Sequence, residues 1–97
     1  MIRVYAAGKL NGMAVDYIQN CRKMITMVIY LRKKGYAVYC PCDDFLVGLV
    51  SGDFGYRDYI ENSLAWLEVA DALLVMQGWE SSKGVREEIE VAKRLGI

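Results

Sequence analysis

Apolar positions along this chain fall into two rhythms, and the rhythms alternate. "IRVYAA" is a short, mostly apolar run with β-branched and aromatic residues, which predicts a buried strand. "GKLNG" follows as a loop with two glycines and an asparagine. From about Val15 to Lys34 the pattern is helical, with Tyr17, Cys21, Met24, Val28 and Leu31 recurring at three and four. Arg32, Lys33 and Lys34 crowd its last turn, where cations suit the helix dipole. Gly35 is placed to end it as a C-terminal cap. "YAVYCP" predicts a second strand, stopped by Pro41, the only proline.

"CDDFLVGLVSGDFGY" is the least regular stretch and predicts a loop with one short helix. Loops of this length are often functional. From about Tyr56 to Val69 the helical period returns, with Tyr59, Leu64, Trp66 and Leu67 as its apolar positions. "DALLVMQ" predicts a third strand, apolar through its centre as in a parallel sheet covered on both faces. Asp71 opens it and reads as a structural residue at the strand start. "GWESSKG" is a loop, and the last helix begins near Ser82.

Strands alternating with helices predict one domain over 1–97, a three-layer α/β/α sandwich around a parallel, flavodoxin-like or Rossmann-like sheet. In such sheets ligands sit at the carboxyl ends of the strands. "GKLNG", "CDDFL" and "GWESSKG" are the loops that leave those ends.

One residue violates the pattern of the last helix. At about 100° per residue, Val85, Ile89, Val91, Ala92, Leu95 and Gly96 share an apolar arc. Arg86, Glu87, Glu90, Lys93 and Arg94 fall opposite. Glu88 lands inside the apolar arc. A carboxylate aimed at a core costs several kcal/mol unless it is paired, hydrogen-bonded or at a cleft. Either a cation meets it at the core's edge, or it faces a pocket.

Composition narrows the chemistry. Lys plus Arg equals Asp plus Glu at 12 each, which argues against a general electrostatic grip on a nucleic acid polymer or an anionic membrane. "MITMVIYL" is too short to span a membrane. The sequence has 0 histidines, so a histidine-based triad, metal site or pH switch is excluded within the chain. Cys21, Cys40 and Cys42 are an odd set without a secretory leader, which suggests a reducing, cytoplasmic setting. "CPC" lacks a second cluster to complete four ligands, so no metal is expected and strand-end packing is the reading.

Three blocks in order resemble the nucleoside 2-deoxyribosyltransferase family, including its 2′-deoxynucleoside 5′-monophosphate N-glycosidase branch and small phage and bacterial relatives. They are "VYAAGKLNG", "ENSLAWLEVADALLVM" and "SSKGVREEIEVAKRLGI", and together they cover nearly the whole chain. The resemblance implies that Glu88 is the nucleophile at the anomeric carbon, with the Tyr5 hydroxyl approaching it. It implies that Gly8, Lys9, Asn11, Gly12, Ser63, Ser82 and Gly84 contact substrate, Ser82 at a phosphate. Ser82 at a helix start is also a good N-cap, and the loop glycines suit ordinary turns. No cofactor is implied. The partner would be a small-molecule nucleoside or nucleotide, with a homo-oligomer completing the pocket.

Two positions depart from the family. Ser63 stands where its enzymes carry the aspartate that holds the sugar and helps protonate the base, and a serine is no acid near neutral pH. Asp58, Glu61, Asp43 and Asp44 are other carboxylates, none favoured by spacing. Lys9 stands where the hydrolases carry serine, and lysine still suits an anion. The chain also ends where the family begins its next strand, so a small sheet lacking the last strands is expected. The readings are therefore a glycosidase or transferase, a nucleotide-binding module without cleavage, or an interaction domain using Trp66, Met76 and Trp79.

Overall fold

The structure, a computed structural model, describes residues 1–10 and 12–97 and, among them, every side chain except those of Ala14 and Phe45. Three strands form the sheet: β1 (Arg3–Ala7), β2 (Ala37–Tyr39) and β3 (Ala72–Val75). Four α-helices accompany them: α1 (Ala14–Lys33), α2 (Asp44–Val50), α3 (Tyr56–Leu67) and α4 (Lys83–Leu95). Short 3-10 turns at Pro41–Asp43 and Trp79–Ser81 precede α2 and α4.

The sheet is parallel with order β2-β1-β3. β1 is central, and Tyr5 pairs with Tyr39 on one side and Leu73 on the other. Successive side chains of a strand point to opposite faces, so β1 feeds two cores. Val4 and Ala6 pack with Met24 and Val28 of α1 and with Val38. Tyr5 and Ala7 pack with Leu67 of α3 and with Val85 and Ala92 of α4. Helices thus cover both faces, which is the expected small α/β layer structure.

The ends of the elements follow from local chemistry. Gly35 takes φ +95° after α1, a left-handed conformation that favours glycine. Its N–H donates to Arg32 O at 3.0 Å and the Tyr36 N–H to Leu31 O at 3.2 Å, the paired bonds that close a helix. Asp71 anchors β3 to β1. Its Oδ2 accepts from the Arg3 N–H and its own N–H donates to Arg3 O, each at 2.8 Å.

Two expectations shift. The irregular stretch after Pro41 is more helical than a loop, with a 3-10 turn running straight into α2. On α3 the buried stripe is Ile60, Ser63 and Leu67. Trp66 is 52% exposed and lies over Tyr39 with ring centroids 5.6 Å apart. Trp66 falls with Tyr59, seven residues before it, about 100° round the helix from Leu67 and so at the edge of the buried stripe. Cys42 packs against α1, its Sγ 3.5 Å from Met24 Sδ. All three cysteines are free thiols.

The two positions give a direct check on the packing. Leu67→Ala removes a fully buried side chain and is expected to cost about 2–5 kcal/mol. Trp66→Ala, at a half-exposed site, costs far less. Urea unfolding of the two variants reads the difference, and a Trp66→Ala loss equal to that of Leu67→Ala contradicts this packing.

Candidate functional site

The carboxyl ends of the three strands open into one cleft of about 530 Å³. β1 contributes Tyr5 and, just beyond its end, Gly8. Pro41 and Asp44 follow β2, and Ser82, Gly84, Val85 and Glu88 follow β3. Tyr56, Tyr59, Ile60 and Ser63 of α3 close the side. The position matches the ligand crevice of open α/β sheets, and the volume lies within the usual range of ligand pockets, about 300–1,000 Å³.

Glu88 is 7% exposed. Among the described residues, ion pairs form between Arg57 and Glu61 and between Lys93 and Glu90, and none reaches Glu88. The choice left open by the helical wheel is therefore decided by geometry: the carboxylate faces a cleft. Burial pushes its pKa up to about 7, the nearby Tyr5 hydroxyl pulls it down, and the charges of Asp44 and Glu87 raise it further.

Tyr5 is completely buried, its ring stacked on Tyr39 with centroids 5.0 Å apart. Its hydroxyl makes no hydrogen bond to the described residues. Glu88 and Ser63 stand close enough to act on it without reaching bonding geometry. Burial, and then the Glu88 charge, hold the phenol far above its usual pKa, so it remains a neutral donor. A buried hydroxyl without a partner costs about 1–3 kcal/mol. In this cleft it is a donor aimed at whatever occupies the space beside Glu88.

The structure brings together six of the sequence-predicted residues: Tyr5, Gly8, Ser63, Ser82, Gly84 and Glu88. Lys9 and Gly12 are exposed and outside the cleft lining. Lys9 nevertheless reaches the loop before α4, where its Nζ donates to Ser81 Oγ at 3.0 Å. Asn11 lies outside the described residues. Ser82 is the N-cap of α4, its Oγ accepting from the Val85 N–H at 3.3 Å, and it also lines the cleft. Gly8 is closely packed: a Cβ there would sit 3.1 Å from Met24 Cε and 3.2 Å from Met76 Cβ, so those side chains would have to give by a few tenths of an ångström. Gly84 has room, its nearest neighbour being Tyr56 at 3.9 Å.

Sequence reasoning left the second carboxylate undecided. Asp58 is engaged as a cap, its Oδ2 accepting from the Gly55 N–H at 2.8 Å. Glu61 is exposed and pairs with Arg57 at 3.4 Å. Asp43 is exposed and off the cleft. Asp44 alone of the four lines it, half-buried, with its pKa raised to about 6 by burial and then by Asp43. Tyr56 and Tyr59 were also missed as cleft residues. Their spacing to Ile60 and Ser63 along α3 is the signal that places them on one face. Lys83 sits over the Tyr56 ring at 4.8 Å, putting a cation beside the site. Among the described residues no three metal-ligating side chains converge.

A family model described as a domain of unknown function, DUF4406, matches residues 2–97. The chain belongs to that family. Among curated proteins and among solved structures nothing matches it. The DUF4406 match spans β1 through the end of α4, so every element that builds the cleft lies within the family's domain.

The electrostatics of Glu88 predict a stability signature. Its folded pKa, about 7, lies above the ordinary 4.5. Between those values the folded chain holds a proton that the unfolded chain has released, so stability falls as pH rises through the window. The full loss is on the order of 3 kcal/mol. Glu88→Gln stays neutral and escapes it. Urea midpoints should show the variant more stable than wild type at pH 8 and nearly equal at pH 4.5. A variant less stable than wild type at pH 8 contradicts the assignment.

Proposed function

We propose that this protein cleaves or transfers the N-glycosidic bond of a nucleoside or deoxynucleoside, or of its 5′-monophosphate, with Glu88 as the nucleophile. One observation carries the reading: a buried carboxylate faces a ligand-sized cleft beside a buried tyrosine hydroxyl, and among the described residues the first has no cation and the second no hydrogen-bond partner. The resemblance of "VYAAGKLNG", "ENSLAWLEVADALLVM" and "SSKGVREEIEVAKRLGI" to the nucleoside 2-deoxyribosyltransferase family supports it independently.

The chemistry follows from these groups. Ionised Glu88 attacks the anomeric carbon as the bond to the base nitrogen breaks, through an oxocarbenium-like transition state. The base leaves with the bonding pair and takes up a proton. Water or a second base then displaces Glu88 and restores the carboxylate. Tyr5 orients the nucleophile. Tyr56 and Tyr59 offer aromatic surface to the base. Ser82 and Lys9 meet a 5′-phosphate near the start of α4, where the helix dipole also favours an anion. No step calls for a metal or an organic cofactor.

A cytoplasmic setting suits the three free thiols. No helix among the described residues is long and apolar enough to cross a membrane. A homo-oligomer is part of the same proposal. Val15, Ile18, Ile25 and Ile29 are exposed on α1 at heptad spacing, a seam that a second copy can cover.

Chromatography for free base tests the enzyme reading. Wild type and Glu88→Ala are incubated with deoxynucleosides, ribonucleosides and their 5′-monophosphates. Wild type is expected to release base from at least one class, and Glu88→Ala to fall to background. No release from any substrate rejects cleavage and leaves a nucleotide-binding module. Light scattering tests the assembly: a multiple of 11.0 kDa is expected, and a monomer mass at every working concentration rejects it.

A further inference from the structure

We infer that Asp44 is the group that protonates the departing base, acting as the acid partner of Glu88 within the cleft. The inference rests on the glycosidic reading and adds to it the residue that completes the reaction.

The geometry selects Asp44 by position. It is the only carboxylate besides Glu88 that lines the cleft among the described residues. It stands at the start of α2, half-buried, and among the described residues no lysine or arginine pairs with it. The chain has 0 histidines, and the serine hydroxyls of the cleft are too weak as acids near neutral pH. A phenol is ordinarily a far weaker acid than a carboxyl group, and burial raises Tyr5, Tyr17 and Tyr56 further. Asp44 is the carboxyl group left to act.

The groups around each carboxylate show how one proton can serve both. Tyr5 from β1, Tyr39 from β2, Asp44 from α2, Tyr56 from α3 and Glu87 on its own helix surround Glu88. Tyr17 from α1, Tyr39 from β2, Asp43 beside it and Glu88 from α4 surround Asp44. Among the described residues, the groups named around either carboxylate are neutral or negative. Two carboxylates sharing a poorly solvated cleft resist ionising together, so between their two titrations the pair holds one proton.

In the free protein burial raises both carboxylates, Glu88 to about 7 and Asp44 to about 6, so the proton belongs to the pair. Substrate assigns it to Asp44. Positive charge developing at the anomeric carbon favours an ionised Glu88, and Tyr5 favours it too. A base nitrogen placed at Asp44 gives the proton a path out. The Glu88–carbon bond forms, the carbon–nitrogen bond breaks, and the Asp44 proton moves to the leaving nitrogen. Asp44 is then a carboxylate, and it takes a proton back from the water that releases the sugar.

The test separates acid catalysis from binding. Asp44→Asn is compared with wild type on two substrates. One is the nucleoside or nucleotide that wild type cleaves best. The other is its N7-methylpurine or nicotinamide counterpart, whose base is already positively charged and leaves without protonation. Release of the neutral base is expected to fall by about 10²–10⁴-fold, while release of the charged base falls less than about tenfold. The wild-type pH profile is a bell with limbs near the two titrations. In Asp44→Asn it becomes a single rise to a plateau. Asp44→Glu, which keeps the acid, retains part of the activity and shows that α2 tolerates change there.

Equal losses on both substrates, or no loss on either, overturn the role of Asp44 while leaving Glu88 chemistry standing. A wild type inert towards every substrate overturns the glycosidic reading and the Asp44 role together.

Discussion

The strand Arg3–Ala7 lies between both other strands and beneath helices on both faces, and the rest of the structure depends on its alternation. A shift of one residue in its register would exchange its two faces. Val4 and Ala6 would then meet α3 and α4, and Tyr5 would meet α1. As built, the alternation sends one large polar aromatic side chain toward α4 at the level where Glu88 points inward. The pairing of Tyr5 with Tyr39 and with Leu73 locks that register from both sides. The stacked Tyr39 ring fixes the phenol laterally. The Tyr5 hydroxyl is therefore delivered beside Glu88 by the most constrained strand of the fold.

That delivery comes at a cost in stability. A carboxylate and a phenol occupy positions in the α3–α4 core where aliphatic side chains would pack without penalty. Burial raises the pKa of both, and the hydroxyl has no partner among the described residues. Unsatisfied polar groups of this kind concentrate where ligands bind, because only the ligand can relieve them. The opposite face carries no such burden. Val4, Ala6, Met24, Val28 and Val38 form an all-apolar core with α1, and that side holds the small sheet together while the other holds the cleft.

How much of this could be read in advance depended on length of pattern. α1 shows five apolar positions at helical spacing over 20 residues, and the structure buries Met24 and Val28 of them and half-buries Tyr17, Cys21 and Leu31. Glu88 was legible because it breaks an otherwise strong amphipathic wheel. Ser63 was legible only by comparison with a family motif, since a buried serine leaves no trace in periodicity. Asp44 was not legible. Its helix has 7 residues, about two turns, too few to establish a face. Its placement comes from the tertiary position of the chain leaving β2. Trp66 misled for the reverse reason: the helical period grouped it with Leu67, while the 100° step between them leaves it at the edge of the buried stripe, over Tyr39.

The distribution of charge across the cleft makes a final argument about its ligand. The cleft lining carries carboxylates and hydroxyls, with Asp44, Glu88 and Tyr5 together and, among the described residues, no cation. The cations lie at one border. Lys9 is bonded to Ser81, and Lys83 stacks on Tyr56, both beside the first turn of α4. A chain with zero net charge thus separates its charges locally across one cleft. An anion fits only at that border. A group that develops positive charge fits only over the lining. A 5′-nucleotide has both ends in that order: the phosphate is anionic in the ground state, and the anomeric carbon becomes cationic only as the glycosidic bond breaks. On the proposed reading, the border therefore contributes to binding, while the lining acts on the transition state, and interactions that strengthen only there are the ones that accelerate a reaction.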